Sequence, residues 1–93
     1  MRAVHPGRIL RRELAARDMS ANRLAFALRL SSGWIVDILN GKCGVSPETA
    51  LRLGRSFGNG ARFWLNLQTA YELAVAEAEF GARVIAEVQP GAR

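Results

Sequence analysis

Side chains able to do covalent or acid–base chemistry are few and scattered. His5 is the only histidine and Cys43 the only cysteine. The carboxylates fall on separate segments, so no spacing pairs a nucleophile with a base. A metal site would need a second thiolate or imidazole a few residues from the first, and an internal disulfide a second cysteine. No catalytic residue, metal or cofactor is therefore expected. What does cluster, between Ser20 and Lys42, is a set of hydrogen-bonding and cationic groups: Ser20, Asn22, Arg23, Arg29, Ser31, Ser32, Asp37, Asn40 and Lys42, with Gly33 and Trp34 among them. Hydroxyls, amides and guanidinium groups at this density suit hydrogen bonding to phosphates and base edges.

Two short helices joined by a tight turn would position these groups. Ser20 can cap the first, which carries Leu24, Ala25 and Leu28 on one face and runs out near Arg29. Ser31 can cap the second, where Ile35, Ile38 and Leu39 recur at helical spacing until Asn40 and Gly41 stop it. Leu24, Leu28, Ile35 and Ile38 can then share one small core. Ser31, Ser32, Gly33, Trp34 and Asp37 are left projecting outward, and in a helix-turn-helix that face enters the major groove of DNA. Paired amphipathic helices also occur in bundles that bind no nucleic acid. Charge favours the DNA reading. The formal net charge is +5, and the whole excess lies before residue 43, where eight cations face Glu13, Asp18 and Asp37; beyond it five arginines balance five glutamates. A cationic half around a reading helix is what phosphate neutralisation requires.

The remaining segments read as support. A single domain spanning 1–93 is expected, with a DNA-binding core at 5–58, a long C-terminal helix at 60–80 and a tail at 82–93. Pro6 is pre-set for the first position of an opening helix with His5 as its cap, and Ile9, Leu10 and Leu14 give that helix an apolar stripe. Ser46, Pro47 and Glu48 supply a cap, a first-turn proline and a first-turn acid, followed by Ala50, Leu51, Leu53 and Phe57 and a stop at Gly58. The long helix from Ala61 carries Phe63, Trp64, Leu67, Tyr71, Leu73 and Ala74, more apolar surface than one neighbour covers, so these residues are expected to form a homodimer interface. Gly81 is expected to break this helix, leaving Arg83 to Val88 as a short strand or a helical extension. No apolar run approaches the roughly twenty residues that span a bilayer, and no signal core follows the N-terminus, so a cytoplasmic protein without a membrane partner is expected.

Five motifs in this order resemble one family: HPG at 5–7, NRLA at 22–25, NGK at 40–42, TALRL at 49–53 and FWLNLQ at 63–68. Together they are similar to the HigA-type antitoxins, a branch of the lambda repressor and Cro-like (XRE) helix-turn-helix proteins, over about 5–71. That resemblance implies an all-α, five-helix lambda repressor-like domain whose C-terminal helix lies in a dimer interface. It further implies a dimeric transcriptional repressor that binds a palindromic double-stranded DNA operator and neutralises a HigB-like, RelE-related mRNA endonuclease toxin. By the same resemblance Ser31, Ser32, Gly33, Trp34 and Asp37 match base-facing positions, and Ser20, Asn22, Arg23, Asn40 and Lys42 match positions near phosphate.

The chain departs from that pattern at two places. Gly33 and Trp34 stand where an arginine or asparagine is common, so bidentate guanine recognition is missing there and Ser31, Ser32, Asp37 and Trp34 must supply readout. Arg29 replaces a small glycine in the interhelical turn, at a cost of up to about 1 kcal/mol if its backbone is left-handed. Two other functions fit the same residues: a stand-alone regulator without a toxin, and an interaction module that no longer reads DNA. For the toxin-binding surface, the arginines of the first helix (Arg8, Arg11, Arg12) and the acidic side of the long helix (Glu72, Glu77, Glu79) are the two candidates, the acidic side suiting a basic nuclease better.

Overall fold

A computed structural model describes residues 3–91, and in these residues the chain forms five helices and no strand: α1 Pro6–Ala16, α2 Ala21–Leu28, α3 Ser32–Leu39, α4 Pro47–Phe57 and α5 Ala61–Glu87. Local sequence sets most of these boundaries. The His5 imidazole accepts the Gly7 backbone N–H ahead of Pro6. Ser20, Ser31 and Ser46 each accept an N–H of the first turn that follows, which satisfies donors that a helix start otherwise leaves without partners. Gly58 ends α4 at φ 78 and ψ 8, a left-handed geometry that costs glycine nothing.

The core is drawn from every helix but unequally. Leu10 and Leu14 of α1, Leu24, Ala25 and Leu28 of α2, Ile35 and Ile38 of α3, and Ala50 and Leu53 of α4 form one buried cluster with Val45. From the 27 residues of α5, Trp64 alone is fully buried. Its indole N–H donates to Asn59 Oδ1 at 2.9 Å, and the Phe57 and Phe63 rings lie 5.9 and 5.2 Å from its centroid. The turn that brings Trp64 in is tight. A Cβ on Gly54 would collide with the Gly60 and Ala61 backbone, so α4 and α5 approach as closely as they do because residue 54 has no side chain.

Two expectations need correction. Gly81 does not break the last helix, which runs on to Glu87, so the helix outlasts the expected 60–80, and of the two alternatives left open after Gly81 the chain forms the helical extension. A glycine costs a helix roughly 1 kcal/mol, and Ala76, Ala78, Ala82 and Ala86 around it offset that. Residues 92 and 93 of that tail lie outside the described residues. The second correction concerns Trp64, which belongs to the protomer's own core and is not available for a dimer interface. The long α5 also stretches the molecule to 50 × 23 × 21 Å, with a radius of gyration of 16.0 Å, where a compact chain of this length would have about 12 Å.

Gly54→Ala should lower stability by about 1–3 kcal/mol through overpacking. Gly81→Ala, with only the Glu77 Cβ near its added methyl, should raise stability by about 0.5–1 kcal/mol. Urea unfolding followed by circular dichroism reads both.

Candidate nucleic-acid interface

The helix-turn-helix expected between Ser20 and Lys42 is formed by α2 and α3. Arg29 occupies the turn with φ 58 and ψ 42, the left-handed conformation foreseen for it, and Leu30 N–H returns to the Ala25 carbonyl at 3.0 Å. Ser31 then opens α3 by accepting the Trp34 N–H at 3.1 Å. Both helices have only eight residues, too few to persist without tertiary support.

That support comes from two sides. A Cβ on Gly7 would strike the Ile38 carbonyl oxygen, so α1 meets α3 with nothing between the two backbones. One turn further along α1, Arg11 Nη2 donates to the Leu39 carbonyl at 3.2 Å and to Asn40 Oδ1 at 3.3 Å. A guanidinium group at these terminal carbonyls meets the negative end of the helix dipole. From the opposite side, Arg52 of α4 donates to the Leu28 carbonyl at 2.9 Å while holding Glu48 at 2.9 Å, which closes the C-terminus of α2.

The loop after α3 is tied as well. Gln68 of α5 accepts the Val45 N–H at 2.8 Å and donates its own N–H to Glu72. The His5 ring meets Tyr71 edge-on at 4.9 Å. Burial, and secondly the Asp37 charge, push the Cys43 thiol above its ordinary pKa, which keeps it neutral.

The expected site residues reach the surface along α2, α3 and the segments that bound them. Ser20, Asn22, Arg23, Arg29, Ser31, Ser32, Gly33, Trp34, Asn40 and Lys42 are all exposed, and Asp37 is half-exposed. Around Gly33 there is open space. Trp34 differs from expectation: its indole N–H donates to Thr49 Oγ1 at 3.4 Å, so the ring leans over α4 at the flank of α3 and does not stand at the centre of the free face. The residue that does share that face is Val36, 40% exposed, three positions after Gly33 and four after Ser32. It was not among the residues expected there, although its helical phase, opposite the buried Ile35 and Ile38, places it outward.

A helix end seated on a core, with hydroxyls and small side chains facing out and arginines at its margins, matches proteins solved on DNA. No family model matches the chain. It is 50% identical over 78 residues to virulence-associated protein I of Dichelobacter nodosus, covering 83% of this chain and 72% of that one. An addiction-module antidote of the HigA family from Coxiella burnetii superposes with a TM-score of 0.95 at 45% identity, covering 97% and 99% of the two chains. The chain belongs to the HigA family of antitoxins. Another HigA structure, the Pseudomonas aeruginosa antitoxin with the higBA promoter, superposes with a TM-score of 0.93 at 43% identity over 98% of this chain and all of that one. The five-helix layout is thus the HigA layout. Among the described residues no group of three or more His, Cys, Asp or Glu could hold a metal, and no helix is long and apolar enough to cross a membrane.

Replacing Arg29 by glycine relieves a left-handed non-glycine residue. Stability should rise by up to about 1 kcal/mol, while affinity for DNA falls as one cation is lost from the turn; urea unfolding and a binding isotherm on the same preparation test both.

Proposed function

We propose that this HigA-family chain acts by binding and not by catalysis. It is the antitoxin of a type II pair, neutralising a HigB-like, RelE-related endonuclease in the cytoplasm, and as a dimer it represses the operon that encodes both. The observation that carries the DNA-binding half is the outward face of α3, where Ser32, Gly33, Val36 and Asn40 lie uncovered, bordered by Arg23, Arg29 and Lys42.

Roles follow from chemistry and position. Ser31 and Ser32 present hydroxyls to base edges, Val36 offers methyl groups to thymine methyls, and Asp37 can accept from a cytosine amino group. Trp34 contributes the exposed part of its ring, its N–H already being engaged. Ser20, Asn22, Arg23, Arg29, Asn40 and Lys42 meet phosphates. Because Arg11 holds Asn40 Oδ1, the amide N–H groups of Asn40 are the end left to donate. With no arginine on the reading face, discrimination between sequences is modest, and the two half-sites of a palindrome, roughly 34 Å apart, supply much of the specificity.

For the toxin, the acidic side of α5 at Glu72, Glu77 and Glu79 suits a basic nuclease better than the arginines of α1 do. Arg11 is in any case committed to the end of α3.

Gel shifts on the promoter of the chain's own operon test the DNA reading. Arg23→Ala should weaken operator and unrelated DNA by the same factor and reduce the salt slope by about 2, one phosphate contact being lost in each half-site, whereas Ser32→Ala should change the order of preferred sequences. A promoter fragment left unshifted at low salt overturns the DNA-binding half. Co-purification with the product of the neighbouring reading frame tests the other half: if that product is absent or is not retained, the chain is a stand-alone regulator.

A further inference from the structure

The two ends of the reading helix α3 are held very differently. Its C-terminal half has buried Ile38 beneath the Gly7 contact, and the Arg11 guanidinium at Leu39 and Asn40. The N-terminal turn, which carries the reading hydroxyls, has no such clamp. Ser31, Ser32, Gly33 and Trp34 are four consecutive exposed residues, and burial resumes only at Ile35. Serine and glycine are weak helix formers, so this turn has little intrinsic order. Its first backbone bond, from Ile35 N–H to the Ser31 carbonyl, is 3.3 Å long. Two further holds remain, and both run through residue 34. The Trp34 backbone N–H donates to Ser31 Oγ at 3.1 Å, and its indole N–H donates to Thr49 Oγ1 at 3.4 Å.

Thr49 is a fixed point for that second bond. It is 3% exposed, the one polar residue buried among the described residues. Ser46, the cap of α4, accepts the Thr49 backbone N–H at 3.2 Å and donates its hydroxyl to Thr49 Oγ1 at 3.1 Å. Oγ1 therefore accepts twice, from Ser46 and from Trp34, which uses both of its lone pairs. A continuous run of hydrogen bonds joins the cap of α3 to the cap of α4 by way of Trp34 and Thr49.

We propose that Trp34 is a positioning residue for the DNA-reading turn, and that buried Thr49, acting through it, sets how sharply the chain distinguishes its operator from other sequences. The proposal rests on the reading of α3 as the helix that enters the major groove. With the indole seated on Thr49 the first turn is ordered before DNA arrives, and the Ser31 and Ser32 hydroxyls lose little freedom when they meet base edges. Without that bond the turn must be ordered at the moment of binding. The cost then falls on base recognition and spares the phosphate contacts, because Arg23 lies in the first turn of α2 and Lys42 beyond the end of α3. Where an arginine in this turn would supply a base contact, tryptophan supplies order.

Binding isotherms on the full chain, with its own promoter and an unrelated duplex of the same length, test the role. Thr49 is buried and offers DNA no surface. Thr49→Val should therefore leave affinity for the unrelated duplex within twofold and the salt slope unchanged, while lowering the operator-to-unrelated ratio about three- to tenfold, the range of one net hydrogen bond. Trp34→Phe should lower that ratio similarly, and the double variant Trp34→Phe/Thr49→Val should be no worse than the poorer single within about twofold. Thr49→Ser, which keeps the hydroxyl, should match the wild type within about twofold. In the wild-type chain the Trp34 indole N–H, assigned by its loss in Trp34→Phe, should exchange with solvent at least about fivefold more slowly than that of free tryptophan. Exchange at the free rate overturns the tether, even where Thr49→Val does not fold. An unchanged ratio in Thr49→Val, or losses that add in the double variant, would show that Trp34 acts independently of Thr49 and overturn the proposal. Equal weakening of both duplexes, the mark of a merely structural role, would do the same. If the wild type prefers its operator while the variants depart from these expectations, only the positioning role falls. If the wild type shows no preference at any salt, the reading of α3 falls and takes this proposal with it.

Discussion

Neither helix of the DNA-reading pair could exist alone, and the rest of the molecule depends on that constraint. An eight-residue helix does not recover its nucleation cost in water. Both α2 and α3 are therefore held by burial of one face and by closure of their ends from outside. For α3 the closure comes from α1, through the backbone contact that Gly7 permits and the Arg11 guanidinium at Leu39 and Asn40. For α2 it comes from α4, through Arg52 at the Leu28 carbonyl. Four clamped helices, pinned to α5 by Trp64, present a rigid helix end to a rigid groove, and little conformational entropy remains to be lost on binding.

Much of this was legible in the chain because it is local. Helix starts at Pro6, Ser20, Ser31 and Ser46 are written within three residues of where they act, and so are the left-handed stop at Gly58 and the strained turn at Arg29. The ordered motifs then tied these elements to a family whose layout the structure shares.

Less legible were features decided by distant contacts or by competition. Arg11 reads as one of several surface arginines until the fold brings it to a carbonyl 28 positions away. Trp64 and Leu73 look alike as apolar residues on one helix, and only the packing of α4 against α5 shows that the first is covered and the second is not. Gly81 was a genuine competition between a residue that weakens helices and four neighbouring alanines that favour them. Val36, absent from the expected site, carries its signal in helical phase alone, opposite Ile35 and Ile38.

Arginine is used here as mortar as well as bait for phosphate. Arg11 is spent at the end of α3, Arg17 lies between Glu13 and the Phe57 ring, and Arg52 is shared between Glu48 and a backbone carbonyl. Such groups are committed to partners within the protein and cannot swing toward a duplex to displace its condensed cations without loosening a helix. On the proposed DNA reading, the number of ions set free is therefore governed by cations that remain uncommitted, Arg23, Arg29 and Lys42 at the margins of α3 among them, and falls short of what the basic composition of the chain implies.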